Sequence, residues 1–128
     1  MKLLLDTHTF LWWVSDAAGL SATARAAIAD PNNTCYVSVA SAWEMAIKSN
    51  LCKLKLKKPV ERFLTEQIKK NGFLLLNIDL HHVAKVENLP FHHRDPFDRL
   101  IVSQAKAERL TLVTADQALS AYDIRCLW

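Results

Sequence analysis

The chain has 128 residues, 51% of them hydrophobic, and a formal net charge of +3. That length allows one domain, residues 1–128, burying roughly two-thirds of its unfolded surface, so no disulfide or structural metal is needed to hold it. Cys35, Cys52 and Cys126 carry no zinc or redox-pair spacing and read as reduced thiols.

In chain order, Lys2–Leu5 reads as a short buried strand. Asp6 follows it, too early for this start to be a signal-peptide core. An apolar helical stretch runs through Phe10-Leu11-Trp12-Trp13, whose tryptophans are expected in the core or at a dimer contact. Ser21 caps a second helix to about Asp30, where Pro31-Asn32-Asn33 turns the chain. Cys35–Ser38 reads as a second strand. From Val39 to about Asn50, apolar Val39, Trp43, Ala46 and Ile47 recur at helical spacing, with Ser41, Glu44 and Lys48 on the opposite, polar side. Lys53–Lys57 alternates like a short extended piece, and Pro59 opens a helix that closes near Asn71-Gly72. The lysines and arginine between Lys48 and Lys70 read as a solvated helical face and charged loop, with a phosphate-facing patch as the sharper alternative.

Phe73–Ile78 is predicted as a third strand, and Asp79 caps a short helix through Val86. Asp95 is a good N-cap, Pro96 suits the first turn, and Phe97, Leu100, Ile101 and Ala105 form a buried face. Thr111–Val113 is a fourth strand and Asp123–Leu127 a fifth. Strands alternating with helices predict an α/β sandwich around a parallel sheet, whose ligands bind at the carboxyl ends of the strands. No apolar run nears the ~20 residues that cross a bilayer, so a soluble, cytoplasmic protein with no membrane partner is expected.

The acids fall on that scheme in a pattern. Asp6 ends the first strand, Glu44 lies on the helix after the second, Asp98 is in the first turn of its helix, and Asp116 follows the fourth strand. Each alone has an ordinary use: Asp6 and Asp116 as caps, Glu44 as an exposed helical residue, Asp98 beside a positive helix end. Together they crowd one sheet edge. Two carboxylates ~4 Å apart repel by about 4 kcal/mol at an effective dielectric of ~20, so such a group needs raised pKa values or a cation. Oxygen ligands without cysteine point to Mg²⁺ or Mn²⁺, and such a site suits hydrolysis of a phosphodiester.

These residues stand in a familiar order. Leu3-Leu4-Leu5-Asp6-Thr7-His8, Ser41-Ala42-Trp43-Glu44-Met45-Ala46-Ile47-Lys48, His93-Arg94-Asp95-Pro96-Phe97-Asp98-Arg99-Leu100-Ile101 and Leu112-Val113-Thr114-Ala115-Asp116 resemble the PIN-domain toxins of the VapC type, almost from end to end. The resemblance implies a PIN-like three-layer α/β/α sandwich on about five parallel strands and Mg²⁺- or Mn²⁺-dependent endoribonuclease activity. It also implies an RNA substrate, a homodimer and a cognate antitoxin protein. By position, Asp6 and Asp98 would hold metal directly, Glu44 and Asp116 would complete the site or position water, and Thr114 would support it through its hydroxyl. One departure is Cys52, where similar sequences often carry glycine before the Lys-Leu of the basic loop.

Asp95 is read as a helix cap, with a secondary ligand role as the alternative. The paired histidines, His81-His82 and His92-His93, are read as surface or cap residues; His92, His93 and Arg94 are alternatively contacts to RNA phosphate. Two other functions compete. Asp6-Thr7-His8-Thr9 superficially resembles the DxDxT nucleophile motif of haloacid-dehalogenase phosphatases, but the expected general acid is replaced by His8. A non-catalytic module that binds RNA or a partner is the third reading.

Overall fold

A computed structural model describes residues 1–128. Strand β1 (Lys2–Leu5) leads into helix α1 (Thr7–Ser15), followed by α2 (Ala22–Ala29), β2 (Thr34–Ser38), α3 (Val39–Asn50) and α4 (Val60–Asn71). Then come β3 (Leu74–Leu76), α5 (Leu80–Ala84), a 3₁₀ turn (Lys85–Asn88), α6 (Pro96–Glu108), β4 (Thr111–Val113), a second 3₁₀ turn (Gln117–Ala121) and β5 (Cys126–Leu127).

The five strands form one parallel sheet in the order β3-β2-β1-β4-β5. The chain builds outward from β1 through β2 and β3, then crosses back to lay β4 and β5 on its other side. The direction of building therefore reverses between β1 and β4, where an open α/β sheet leaves a crevice at its carboxyl ends. Leu4 pairs with Tyr36 on one flank and Leu112 on the other, which fixes the register at the centre.

Strand alternation sorts the core into two clusters. Leu3, Leu5, Cys35, Val37 and Val113 pack with Phe10, Ala24, Ile28 and Leu64 of α1, α2 and α4. Leu4 and Leu112 point to the other face and pack against Leu100, Ile101, Val102 and Ala105 of α6. Because a strand's successive side chains face opposite ways, helices cover both faces and the sheet is the middle of three layers.

Several elements differ from expectation. The third strand is three residues rather than six, and the fifth is only Cys126–Leu127. Both lie at sheet edges, where only one side offers backbone partners. Lys53–Lys57 forms no strand and lies in the loop between α3 and α4. At the start of that loop Cys52 adopts φ 58°, a left-handed conformation that suits glycine and costs other residues roughly 1–2 kcal/mol.

Helix α3 carries the largest departure. Its polar side is the buried one: Ser41 and Glu44 are 0% and 3% exposed, while Trp43 and Ile47 are 57% and 36% exposed. Periodicity located the helix correctly, but partners for its polar residues, supplied by α1, decide which side turns inward.

Candidate active site

The acids are held by the local rules that end these elements. Asp6 closes β1, its amide still donating to Val113 of β4 at 3.2 Å, and it caps α1 by accepting from the Thr9 amide at 2.8 Å. Its second oxygen accepts from the Thr114 hydroxyl at 2.5 Å. Thr114 lies just beyond β4, so this bond ties together the carboxyl ends of the two strands that flank the crevice.

Glu44 is reached through the short turn at Ser38, whose hydroxyl caps α3 at the Ala40 amide, 2.9 Å away, and donates to Gln104 of α6. The Thr7 hydroxyl lies 2.7 Å from Glu44 Oε1 and 2.9 Å from Ser41 Oγ. Having a single proton, it donates to the carboxylate and accepts from Ser41. Lys48, one turn along α3, donates to Glu44 Oε2 at 2.6 Å. Both oxygens of this acid are thus engaged by the protein.

Asp95 caps α6 by accepting from the amides of Phe97 and Asp98, at 2.8 and 3.2 Å, with Pro96 in the first turn. The cap expected from the sequence is present. Asp116 caps the 3₁₀ turn after β4 at the Ala118 amide, 3.0 Å away. Its other oxygen lies 2.8 Å from His93 Nε2, which is 3.6 Å from Asp98 Oδ2. His93, Asp98 and Asp116 form one tight cluster.

Asp98 differs from the rest, because its carboxylate accepts no hydrogen bond from the protein. Its pKa is pushed up from 3.8 to about 7. Burial is the main cause and the charge of Asp95 the next; Asp6 and Glu44 add smaller pushes and His93 pulls the other way. All four predicted acids therefore lie at the carboxyl edge. Asp98 and Asp116 share a cluster, Asp6 is joined to the β4 end through Thr114, and Glu44 acts on Asp98 through its charge. Beside the His93 nitrogen the donors are carboxylate oxygens, a set that suits a hard divalent ion such as Mg²⁺ or Mn²⁺.

The structure also uses residues that sequence reasoning passed over. Thr7 satisfies Glu44 directly, and Ser41 supports it by bonding to Thr7, both from within motifs whose acids carry the sequence reading. Arg99, buried at the base of α6, donates to the carbonyls of Leu89 and Pro90 and to the Tyr122 hydroxyl, pinning the loop that carries His93. Their signal was weak: an arginine on an apolar helix face reads as a surface residue unless its carbonyl partners are known. His8, by contrast, is exposed and packs against Trp12, with ring centroids 6.0 Å apart.

A second group, Asp79, His81, His82 and Glu108, gathers His and acid side chains elsewhere. Ten residues of α6, or about 15 Å of helix axis, separate Glu108 from Asp98. His82 Nδ1 accepts from the Asp79 amide at 3.0 Å, so its proton sits on Nε2 and points to Glu108 at 2.8 Å. A ring with both nitrogens so occupied caps α5 and has no lone pair for a metal.

Residues 3–125 match the family model described as PIN domain. No curated protein matches the chain in sequence. Among solved structures, the VapBC2 complex of Rickettsia felis, bound to a DNA fragment from its promoter, contains a similar chain with TM-score 0.72 and 18% identity, covering 98% of this chain and 97% of that one. The FitAcB structure from Neisseria gonorrhoeae gives TM-score 0.59 at 19% identity, with 97% and 95% covered. A toxin–antitoxin complex from Klebsiella pneumoniae gives 0.55 at 20% identity, with 89% and 86% covered. At such identities the likeness is one of fold.

Proposed function

This chain belongs to the PIN-domain family, and on that premise we propose that it is a metal-dependent endoribonuclease, the toxin of a toxin–antitoxin pair. The observation that carries the reading is Asp98: an acid without a protein hydrogen-bond donor, under the negative charge of Asp95, Asp6 and Glu44, in the crevice where sheet building reverses. Such a carboxylate is destabilised until a cation joins it.

In this reading Asp6 and Asp98 bind the ion directly, and Glu44 and Asp116 complete the site. When bound, Mg²⁺ or Mn²⁺ lowers the pKa of a coordinated water and offsets charge developing on the phosphodiester. The chain's own groups do the positioning. Thr114 holds Asp6, and Thr7 with Lys48 holds Glu44 for orienting water toward the phosphorus. Asp116, part exposed, lies beside Asp98 at the outer side of the acid cluster.

Partners follow from the same premise. The similar structures include toxin–antitoxin complexes, and here a groove of about 540 Å³ between α1, α4 and the basic loop joins an apolar floor (Leu11, Val14, Leu54, Phe63) to Lys55 and Lys57. Those features suit an apolar, acidic antitoxin segment. The exposed Trp43 and Ile47 on α3, with Leu51 just past its end, suit a homodimer contact. No helix is long and apolar enough to cross a membrane, and the three cysteines are unpaired, in keeping with action in the cytoplasm.

The test is incubation of purified, antitoxin-free protein with total bacterial RNA and Mg²⁺ or Mn²⁺, beside EDTA and Asp6→Asn controls. Discrete cleavage lost in both controls is expected. Equal cleavage by the Asp6→Asn protein would refute the assigned site, and no cleavage by folded, metal-loaded protein would favour a module that binds without cutting.

A further inference from the structure

His93 sits in the loop before α6, and both of its ring nitrogens have defined partners. Nδ1 lies 3.0 Å from the backbone nitrogen of Asp95. A backbone N–H can only donate, so Nδ1 is the acceptor and carries no proton. The neutral ring then holds its proton on Nε2, the atom 2.8 Å from Asp116 Oδ2 and 3.6 Å from Asp98 Oδ2. With one lone pair taken by the amide and the other nitrogen protonated, the ring could bind a metal only as an imidazolate.

The ring is also aimed in advance. The His93 amide donates to the Tyr122 hydroxyl at 3.0 Å, and Arg99 donates to that same hydroxyl at 3.1 Å and to Pro90 O at 2.9 Å. The Arg99 guanidinium stacks over Phe91 at 4.5 Å. Backbone on both sides of His93 is thus anchored to α6 and to Tyr122. Asp116 needs such a guide, because its side chain is 40% exposed and only its cap oxygen is otherwise held.

We propose that His93 is a positioning residue: as the Nε2–H tautomer it clasps the Asp116 carboxylate beside Asp98 and is not itself a metal ligand. The clasp rests on the metal-site reading for its purpose, though not for its geometry. Where the sequence reading has His93 as a surface or cap residue, with a phosphate contact as the alternative, the ring meets the Asp116 carboxylate. Partners that orient a site's ligands commonly change metal affinity by about 10–100-fold when removed.

The experiment has two arms. In protein labelled with ¹⁵N-histidine, long-range ¹H–¹⁵N spectra are expected to show His93 protonated at Nε2 and bare at Nδ1, with and without Mg²⁺. Its signals are assigned by their loss in His93→Gln. A proton on Nδ1, or loss of the Nε2 proton on adding Mg²⁺, would overturn the clasp. In the second arm, free Mn²⁺ is counted by EPR. His93→Ala should weaken binding about tenfold or more, while His93→Gln, whose amide nitrogen can still donate, should restore most of it. Wild-type affinity in a folded His93→Ala protein would overturn the positioning role. Wild-type protein that takes up no Mn²⁺ would sink the metal reading instead, and the spectra would still decide the tautomer.

Discussion

Asp6, Glu44 and Asp116 each have protein donors at their carboxylates, whereas Asp98, largely buried beside other acids, has none. That asymmetry has a consequence for stability. A carboxyl whose folded pKa is raised from 3.8 to about 7 favours the folded state fully below about pH 4 and loses that contribution as pH rises through about 7. Metal-free Asp98→Asn protein should therefore be more stable than wild type at about pH 8, by about 2 kcal/mol once solvent screening on the open side is allowed for. The difference should close on approaching pH 4. Urea titrations in EDTA across that range check it; an Asn variant less stable than wild type at pH 8 would contradict the electrostatic account. The Asp98 position was legible from its place in the motif, but its state was not. Asp95 is a near neighbour in sequence, but the desolvation and the charges of Asp6 and Glu44 exist only once three separate segments meet.

At the scale of elements, caps carry much of the site. Asp6, Asp95 and Asp116 all accept amide hydrogens at the start of a helix or 3₁₀ turn, so for Asp6 and Asp116 the cap is also the place of a proposed site acid. For Asp95 the two roles can be separated. Asp95→Asn keeps an acceptor for the Phe97 and Asp98 amides and should leave stability and RNA cleavage near wild type. Asp95→Ala removes the cap and should cost about 1 kcal/mol, read by thermal or urea unfolding. Cleavage abolished by the Asn change in a stably folded protein would instead favour a ligand role for this acid. Helix α3 shows the limit of reading elements from periodicity. A stripe of Val39, Trp43, Ala46 and Ile47 locates a helix, yet Thr7, itself bonded to Ser41, holds Glu44 inward and leaves Trp43 outside, edge-on to Phe97 with ring centroids 4.9 Å apart. A buried acid with its partners in place outweighs an apolar stripe when the partners come from another helix.

For the whole molecule, the reversal of strand order between β1 and β4 is what gathers residues 6, 44, 98 and 116. If the pocket takes a divalent ion, binding is linked to folding, since the unfolded chain scatters the ligands. Saturating Mg²⁺ should raise the midpoint of thermal unfolding by several degrees at about pH 8, where the acids are ionised. The gain should shrink toward about pH 5 and be absent in the Asp6→Asn, Asp98→Asn double variant. Scanning calorimetry with Mg²⁺ and with EDTA measures this, and an equal rise in the double variant would mean that the ion acts elsewhere.

The division between sequence and tertiary structure follows from the range of the forces involved. Alternating strands and helices, the cap at Asp95, the place of Asp6, Asp98 and Asp116 at the ends of elements and the PIN resemblance are properties of neighbouring residues or ordered motifs, and the sequence by itself determined them. The lengths of β3 and β5, the inward turn of Glu44, the loop pinned by Arg99 and the His93–Asp116 contact depend on groups far apart in the chain. Only the tertiary structure decided those, because a buried polar group is oriented by whichever distant partner satisfies it, and no local pattern names that partner.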